Sequence, residues 1–372
     1  MDIEVRPVTG RAELRRFVFL PEKLNRDHPN WLPPIYSDDL AFFDPAKNRA
    51  FSYCDTLTLL AWRGSEPVGR VLGIVNRRCN EFRGERVARF SHLECPDEAA
   101  VFGALMTRVE EWARGLGMSK LVGPFGFTDQ DPEGFIIEGF DELPTLACNA
   151  NLPFVNRLLE SSGYGKDVDY VVYILPVPET MPQSYQRIVE RLTRRGEFRP
   201  LEFTKRSELK PWVRPVLGLM NETYVDLYGY APLDEQEMDD LAKRYIPLLD
   251  PRLVKVVLRG DALVAFVVGM ANLTKGLRRA RGRLFPFGIL HILAAMRRTR
   301  QLDLMLGGIR ADCRGAGINA LLAMTMLRSA YAAGFETIDT HSELESNTLI
   351  RAEMERFGGQ VRKRFRVYQK QL

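Results

Sequence analysis

One order of elements is written twice along this chain. Residues 176–182, Pro176-Val177-Pro178-Glu179-Thr180-Met181-Pro182, read as a stiff linker that cuts the 372 residues into nearly equal parts. On each side of it the spacing of apolar residues predicts strand, turn, strand, strand, helix, strand, helix, strand. A prior of about 150 residues per domain also suggests two units for this length. The expected units are 1–180 and 181–372, alike in architecture and with little identity between them.

In the first half, predicted strands at 56–62 and 67–76 flank Arg63-Gly64-Ser65-Glu66, and a third follows at 87–93. A helix at 99–116, a strand at 120–122, a helix at 153–162 and a strand at 170–175 complete the outline. In the second half, strands at 253–258 and 262–270 are joined by Arg259-Gly260-Asp261, a hairpin signal. After an insertion come a strand at 302–309 and a helix at 318–333, which Gly334 stops. A strand at 337–342 follows, then a helix capped by Ser346 or Asn347 that runs to Phe357 and ends at Gly358-Gly359. Residues 360–369 alternate as a last strand.

The halves differ at one turn. Between its fourth strand and long helix the second half has Arg314-Gly315-Ala316-Gly317-Ile318. The glycines let the backbone turn and approach a ligand closely, and the first amides of the helix point outward with the positive end of its dipole. An anionic diphosphate suits that turn, although a two-glycine match can also be only a tight connection. The first half has Glu94-Cys95-Pro96-Asp97 there, with acids that repel phosphate and a proline that has no amide to donate.

Composition narrows the class. Hydrophobic residues at 45% and charged residues at 27% are ordinary for a soluble globular protein, and a net charge of +4 suits anionic ligands without being a nucleic-acid signature. Five cysteines form no Cys-x-x-Cys pair, and Met1-Asp2-Ile3-Glu4 starts no secretory pattern, so a reducing cytoplasm is expected. No apolar run reaches the ~18 residues of a membrane span. The nearest, 284–296, lies in the insertion, bracketed by Lys275, Arg278, Arg279, Arg281, Arg283, Arg297, Arg298 and Arg300 with no acid inside. As a helix it would be apolar all round. It could lie peripherally on an anionic membrane, line an acyl channel, or be a buried helix with solvated ends. Its basic residues could also reach the 3′-phosphate of coenzyme A or a tRNA backbone.

The turn and its surroundings resemble the GNAT acyltransferase superfamily, in tandem. That superfamily has a Gln/Arg-x-x-Gly-x-Gly/Ala loop between the fourth strand and a long helix, then a strand, then an Asn-led helix ending in Gly. Here Asp312-Cys313-Arg314-Gly315-Ala316-Gly317 fits the loop from Arg314 onward, Asn347 fits the asparagine, and Phe357-Gly358 fits the helix end. Asp27 to Pro34, Gly123-Pro124 through Asp141, and Gly282 to Gly288 are similar to a group of bacterial double-GNAT proteins. In size and superfamily, though not motif by motif, the chain is also similar to bacterial ceramide synthases, which acylate a sphingoid base from a long-chain acyl-CoA. The resemblance implies an α/β (α+β) fold of two tandem GNAT-like domains, each a mixed central sheet flanked by helices. The first would lack the pyrophosphate loop. The second would bind coenzyme A through Ile309, Arg310, Arg314, Gly315, Ala316, Gly317, Ile318 and Asn347, with the pantetheine arm between splayed fourth and fifth strands. Two positions depart from the pattern. Asp312 stands where Gln or Arg is preferred, and Met354 where many members carry the tyrosine that protonates the leaving thiolate.

Amide formation from a thioester needs a group to take the ammonium proton and donors for the developing oxyanion. His341, Glu343 and Glu345 fall on one side of the penultimate strand if it extends that far, with Glu343 or Glu345 preferred as base and His341 next. Glu345 also suits the start of the helix after it. Asp129, Asp131 and Glu133 concentrate acid in one loop that could meet a cationic amine across the domain interface, or could be a solvated turn. The histidines are too scattered for a metal, and none is expected. The resulting expectation is an acyl-CoA-dependent N-acyltransferase using acetyl-CoA or a longer thioester as co-substrate. The acceptor would be a small or lipid-like amine such as a sphingoid base. The protein would be cytoplasmic, with peripheral contact at the inner membrane through 275–300, and no nucleic acid is expected as partner. An aminoacyl-tRNA-dependent transferase and a non-catalytic acyl-CoA-binding protein remain as alternatives.

Overall fold

The computed structural model describes residues 2–146 and 148–372. Its strands are β1 (Ile3–Pro7), β2 (Cys54–Arg63), β3 (Glu66–Asn76), β4 (Val87–Glu94), β5 (Lys120–Gly123), β6 (Phe135–Glu138) and β7 (Gly165–Pro176). The second half contributes β8 (Phe198–Glu202), β9 (Val254–Arg259), β10 (Ala262–Ala271), β11 (Gln301–Ile309), β12 (Thr337–Asp339), β13 (Glu343–Leu344) and β14 (Gln360–Gln371). They form one mixed sheet in the order β1-β2-β3-β4-β5-β14-β7-β12-β11-β10-β9-β8, with β6 beside β14 and β13 beside β7.

Read from either end the order is the same, which makes the repeat visible in space. β4 and β5 pair in parallel, as do β11 and β12. At the centre the halves exchange their last strands. β14 lies against β5 of the first half, β7 lies against β12 of the second, and the two pair antiparallel with each other from Gln360↔Ile174 to Gln369↔Gly165.

Helices cover the sheet where their apolar faces match it. The helix Ala99–Gly115 buries Val101, Leu105, Met106 and Val109 on the first half's strands, and Ile318–Ala332 buries Leu321, Leu322, Met326 and Ala330 on the second's. One charged pair lies inside the central strands. Lys363 of β14 and Asp339 of β12, 2% and 0% exposed, meet at 2.9 Å. Burial is the largest single influence and would lower the lysine pKa, but the charge and hydrogen bond of Asp339 together with the charges of Cys148 and Asp303 outweigh it, and the net shift is upward. Asp303 on β11 is pushed up to about 7 by burial and by the charge of Asp339.

Two expectations change. The strand expected at 337–342 stops at Asp339. Thr340 bonds back to Tyr173 through its backbone amide (3.0 Å) and its hydroxyl (3.1 Å), and His341 adopts a left-handed φ of 61°. In the insertion the apolar run 284–296 is helical only from Gly288, so it is not apolar helix throughout. The insertion forms a pair of helices, Thr274–Ala280 and Gly288–Arg298, packed so closely that a Cβ on Gly276 would sit 2.6 Å from the Ile292 Cα. The pair reaches the first half through Arg278 to the Pro29 carbonyl (2.6 Å) and Arg283 to Glu22 (2.7 Å). No helix of the described residues is long and apolar enough to cross a membrane.

Candidate active site

The glycine turn has the conformation its sequence requires. Gly315 (φ 76°) and Gly317 (φ 91°) are both left-handed, and Gly317 caps the helix Ile318–Ala332. Nothing lies within 4 Å of where a Gly315 Cβ would be, so that side of the turn is open. The amides of Gly315, Gly317, Ile318 and Asn319 have no hydrogen-bond partner among the described residues. Free amides at a helix start are anion donors. Arg314 is exposed beside them, its Nε donating to the Ile309 carbonyl at 3.3 Å. Asp312 does not set an open negative charge against this turn. Arg310 (2.7 Å) and Arg259 (2.6 Å) bridge its carboxylate and hold its pKa far below the usual range.

A gap opens from this turn into the sheet. β11 and β12 pair only from Gln301↔Thr337 to Asp303↔Asp339, and β11 then runs on to Ile309 without β12. Opposite β10 the register steps from Leu304 to Leu306, a bulge at Met305 that re-aims the backbone beyond it. The backbone of Gly307 then faces the hydroxyl of Tyr224. That hydroxyl donates to the Gly307 carbonyl at 3.0 Å and accepts from its amide at 3.2 Å. Burial raises the Tyr224 pKa, and the charges of Glu343 and Asp129 add to the rise. Sequence reasoning missed Tyr224. The only signal was the cluster Tyr224, Tyr228 and Tyr230 in a short run.

The three candidates for the base separate. His341, Glu343 and Glu345 do not share a strand face, because β12 ends before His341 and its left-handed φ breaks the alternation. Glu345 is held by Lys166 (2.6 Å) and by Arg364, and Lys166 first of all keeps its pKa low. A carboxylate so paired makes a poor proton acceptor. Nδ1 of His341 accepts the Ser342 amide at 3.0 Å, which places the ring proton on Nε2 and leaves no free lone pair. Burial also lowers the pKa of that ring. Glu343, paired in β13 with Val171 of β7, is pushed up to about 7 by burial. A carboxyl with that value suits general base work near neutral pH. Asn347 is the N-cap of the helix Thr348–Arg356, accepting from the Ile350 amide at 3.4 Å.

The acidic loop of the first half lies close to the same recess. Asp131 is a turn residue, its carboxylate accepting the Thr128 amide at 3.2 Å. Asp129 accepts from Gln130 at 2.8 Å, its other oxygen is buried without a partner among the described residues, and burial raises its pKa to about 6. The Glu133 carboxyl faces the Tyr170 hydroxyl, and burial raises its pKa well above the usual value. Tyr170 pairs with Leu344 in β13, the neighbour of Glu343. Elements of both halves therefore come together here: Glu343 and Asp129 both act on Tyr224, and Arg89 faces Asp129 and Glu133. No group of His, Cys, Asp and Glu able to hold a metal occurs among the described residues.

Comparison with known proteins gives relatives along the whole chain. No family model matches. A protein of Caulobacter vibrioides named bacterial ceramide synthase is 27% identical over 381 aligned positions, covering 100% of this chain and 98% of the relative. Protein YghO of Escherichia coli K12 is 26% identical, covering 99% of this chain and 95% of its own. Among solved structures, a tandem GNAT protein from the clavulanic acid biosynthesis pathway superposes with a TM-score of 0.58 at 13% identity, covering 100% of this chain and 98% of that one. A GCN5-related N-acetyltransferase from Sphaerobacter thermophilus gives 0.52 at 13% identity, covering 99% and 95%.

Proposed function

We propose that this chain, which has the tandem GNAT fold, transfers an acyl group from a coenzyme A thioester to an amine, and that the acceptor is long-chain or lipid-like. The observation that carries the reading is the parting of β11 and β12. It leaves a gap with free amides and arginine at one end, at Gly315 to Ile318, and the half-buried carboxyl of Glu343 near the other. The full-length likeness to the Caulobacter protein supports a sphingoid-type amine as acceptor.

In this reading the turn amides with Arg314 and Arg310 hold the diphosphate, and the thioester arm runs along Leu304 to Ile309. Glu343 takes a proton from the acceptor ammonium, the amine nitrogen bonds to the thioester carbon, and the carbon–sulfur bond breaks. Amides of β11 beyond Asp303, where β12 no longer pairs with it, are the donors for the developing oxyanion. The Tyr224 hydroxyl gives its proton to the departing thiolate, the role for which Met354 has no group, and takes back the second proton that the nitrogen loses as the amide forms. Asp129 and Glu133 hold the acceptor as a cation until its proton leaves. Purified protein should release free thiol from palmitoyl-CoA only when a sphingoid base is supplied. Absence of release across acetyl-CoA, palmitoyl-CoA and a panel of amines would sink the reading, and tight salt-sensitive tRNA binding would favour the aminoacyl-tRNA class.

Asp129→Asn tests the acceptor site. The KM for the amine should rise about tenfold, with the KM for the thioester unchanged, because a neutral amide cannot pair with the ammonium. Equal changes in both KM values would remove Asp129 from that role.

The insertion gives the lipid-like acceptor a physical basis. Phe285, Phe287, Ile289, Leu290 and Leu293 are exposed, Phe285 by 83% and Phe287 by 65%. Around them Arg279, Arg281, Arg297 and Arg298 are exposed and form no ion pair among the described residues. Aromatic side chains beside unpaired arginines suit the interface of an anionic bilayer. The protein should co-sediment with vesicles containing phosphatidylglycerol, more weakly in high salt. The pair Phe285→Asp with Phe287→Asp should lose most of that binding. Retention of binding by the variant would discard this surface.

A further inference from the structure

A second basic feature stands beside the glycine turn, and nothing in the mechanism above uses it. The helix Gln183–Arg195 lies in the connection between the halves, outside the order of elements that the halves share. Its inner face is apolar. Tyr185, Val189 and Leu192 are buried in the core that holds Ile318, and Ile188 and Ala316 pack against the same core. The contact with the turn is close, since a Cβ on Gly317 would lie 2.7 Å from Ile188 Cγ2 and 3.5 Å from Leu192 Cδ1. Glycine at 317 thus does two things. It permits φ 91°, and it lets this helix rest on the turn.

The outer face is a row of arginines. Arg187, Arg191, Arg194 and Arg195, together with Ile188, line a groove of about 540 Å³. The spacing of Arg187 and Arg191, four residues apart, puts them on one side of the helix. Arg194 reaches Glu190 at 3.8 Å, whereas Arg187, Arg191 and Arg195 form no ion pair among the described residues. Favourable interaction with the negative end of the helix dipole accounts for Arg194 and Arg195 in the last turn, and not for Arg187 and Arg191. Like charges repeated on one helix face repel one another, and a bound anion relieves that repulsion. Ile188 is shared by the groove and the Gly317 contact, so any anion in the groove is a near neighbour of a diphosphate on the turn.

We infer that the Arg187–Arg195 face is a second phosphate site, which takes the 3′-phosphorylated nucleotide end of the thioester donor. The groove volume is in the range of small-ligand sites, and the guanidinium fork matches a phosphate monoester. The inference rests on the acyl-CoA reading and adds which end of the donor is selected. The donor is a free coenzyme A ester, not an acyl group carried on a protein through phosphopantetheine, which has no 3′-phosphate.

The test compares palmitoyl-CoA with palmitoyl-3′-dephospho-CoA on the wild type and on the double variant Arg187→Gln with Arg191→Gln. Both arginines are exposed, so the fold should survive, with circular dichroism as the check and Arg187→Lys with Arg191→Lys as the conservative control. The wild type should show a KM about tenfold higher for the dephospho ester, the Gln variant a ratio near one, and the Lys variant an intermediate ratio. The wild-type ratio should shrink as salt rises. Equal KM values in the wild type, or a ratio unchanged in the Gln variant, overturn the inference while the acyltransferase reading stands. Faster use of a palmitoyl carrier-protein thioester than of palmitoyl-CoA also overturns it. Turnover of no thioester at all sinks the proposed function itself.

Discussion

Glu343→Gln is expected to lower kcat by about 10²- to 10⁴-fold and to leave the KM for the thioester nearly unchanged, because glutamine keeps the shape and cannot take the ammonium proton. The pH profile distinguishes this from damage to the fold. Burial raises the Glu343 pKa from 4.5 to about 7, so wild-type kcat should climb with pH and level off above about 7. The variant should lack that limb. The stability change runs in a direction that serves as a control. A carboxyl whose folded pKa lies above its unfolded value stabilises the fold while protonated, and that stability is lost as pH rises from 4.5 through 7. The variant, never ionised, should therefore be at least as stable as wild type at pH 8. A drop in kcat accompanied by a drop in melting temperature at pH 8 would count against Glu343 as base. In the same assay Tyr224→Phe should cost less, roughly tenfold in kcat, because a thiolate is a good leaving group without help. No loss with Tyr224→Phe would mean that another group, or water, protonates the sulfur.

The second large effect is on stability. Lys363→Met should destabilise the protein by about 3–5 kcal/mol, because it leaves the Asp339 carboxylate buried and unpaired. Asp339 is 0% exposed and neighbours Asp303, whose pKa is already raised to about 7. In a chain of this length such a loss corresponds to a fall in melting temperature on the order of 5–10 °C. The fall should be smaller at pH 5, where the neighbouring Asp303 carboxyl is protonated and no longer repels Asp339. The double variant Lys363→Met with Asp339→Leu should recover much of the loss, since an apolar pair of similar volume needs no solvation. Thermal melts of the single and double variants at pH 5 and pH 8 check this. A single variant that melts like wild type at pH 8 would show that water reaches Asp339.

Local order was readable where apolar runs are bounded by turn residues. The runs at residues 67–76 and 87–93 match β3 and β4 to within a residue, although both faces of β3 are buried, and the helix expected at 318–333 begins at Ile318 and ends at Ala332. The glycine turn was readable for a different reason: a left-handed backbone leaves few choices of residue. What escaped depends on distance. Tyr224 meets Gly307 across 83 positions of sequence, and no periodicity reports such a meeting. His341 and Glu343 were assigned one face by alternation, which a single left-handed residue cancels. The helix Gln183–Arg195 went unnoticed because its arginines resemble any solvated surface until Ile188 is seen against Gly317. The insertion was recognised as unusual. Within the apolar run 284–296 the helix begins only at Gly288, and Phe285 and Phe287 before it are turned outward.

The exchanged strands bear on how the protein is made. β7 leaves the ribosome long before β14, and until residues 360–371 emerge the first half has nothing to set between β5 and β7. At about 5–20 residues per second that wait lasts on the order of ten seconds or more. Throughout it, two strand edges rich in unpaired amides and carbonyls stand ready to pair with any passing extended chain. Closure of the sheet thus waits for β14, and nascent chains cut short of β14 are the form most exposed to aggregation and to chaperones.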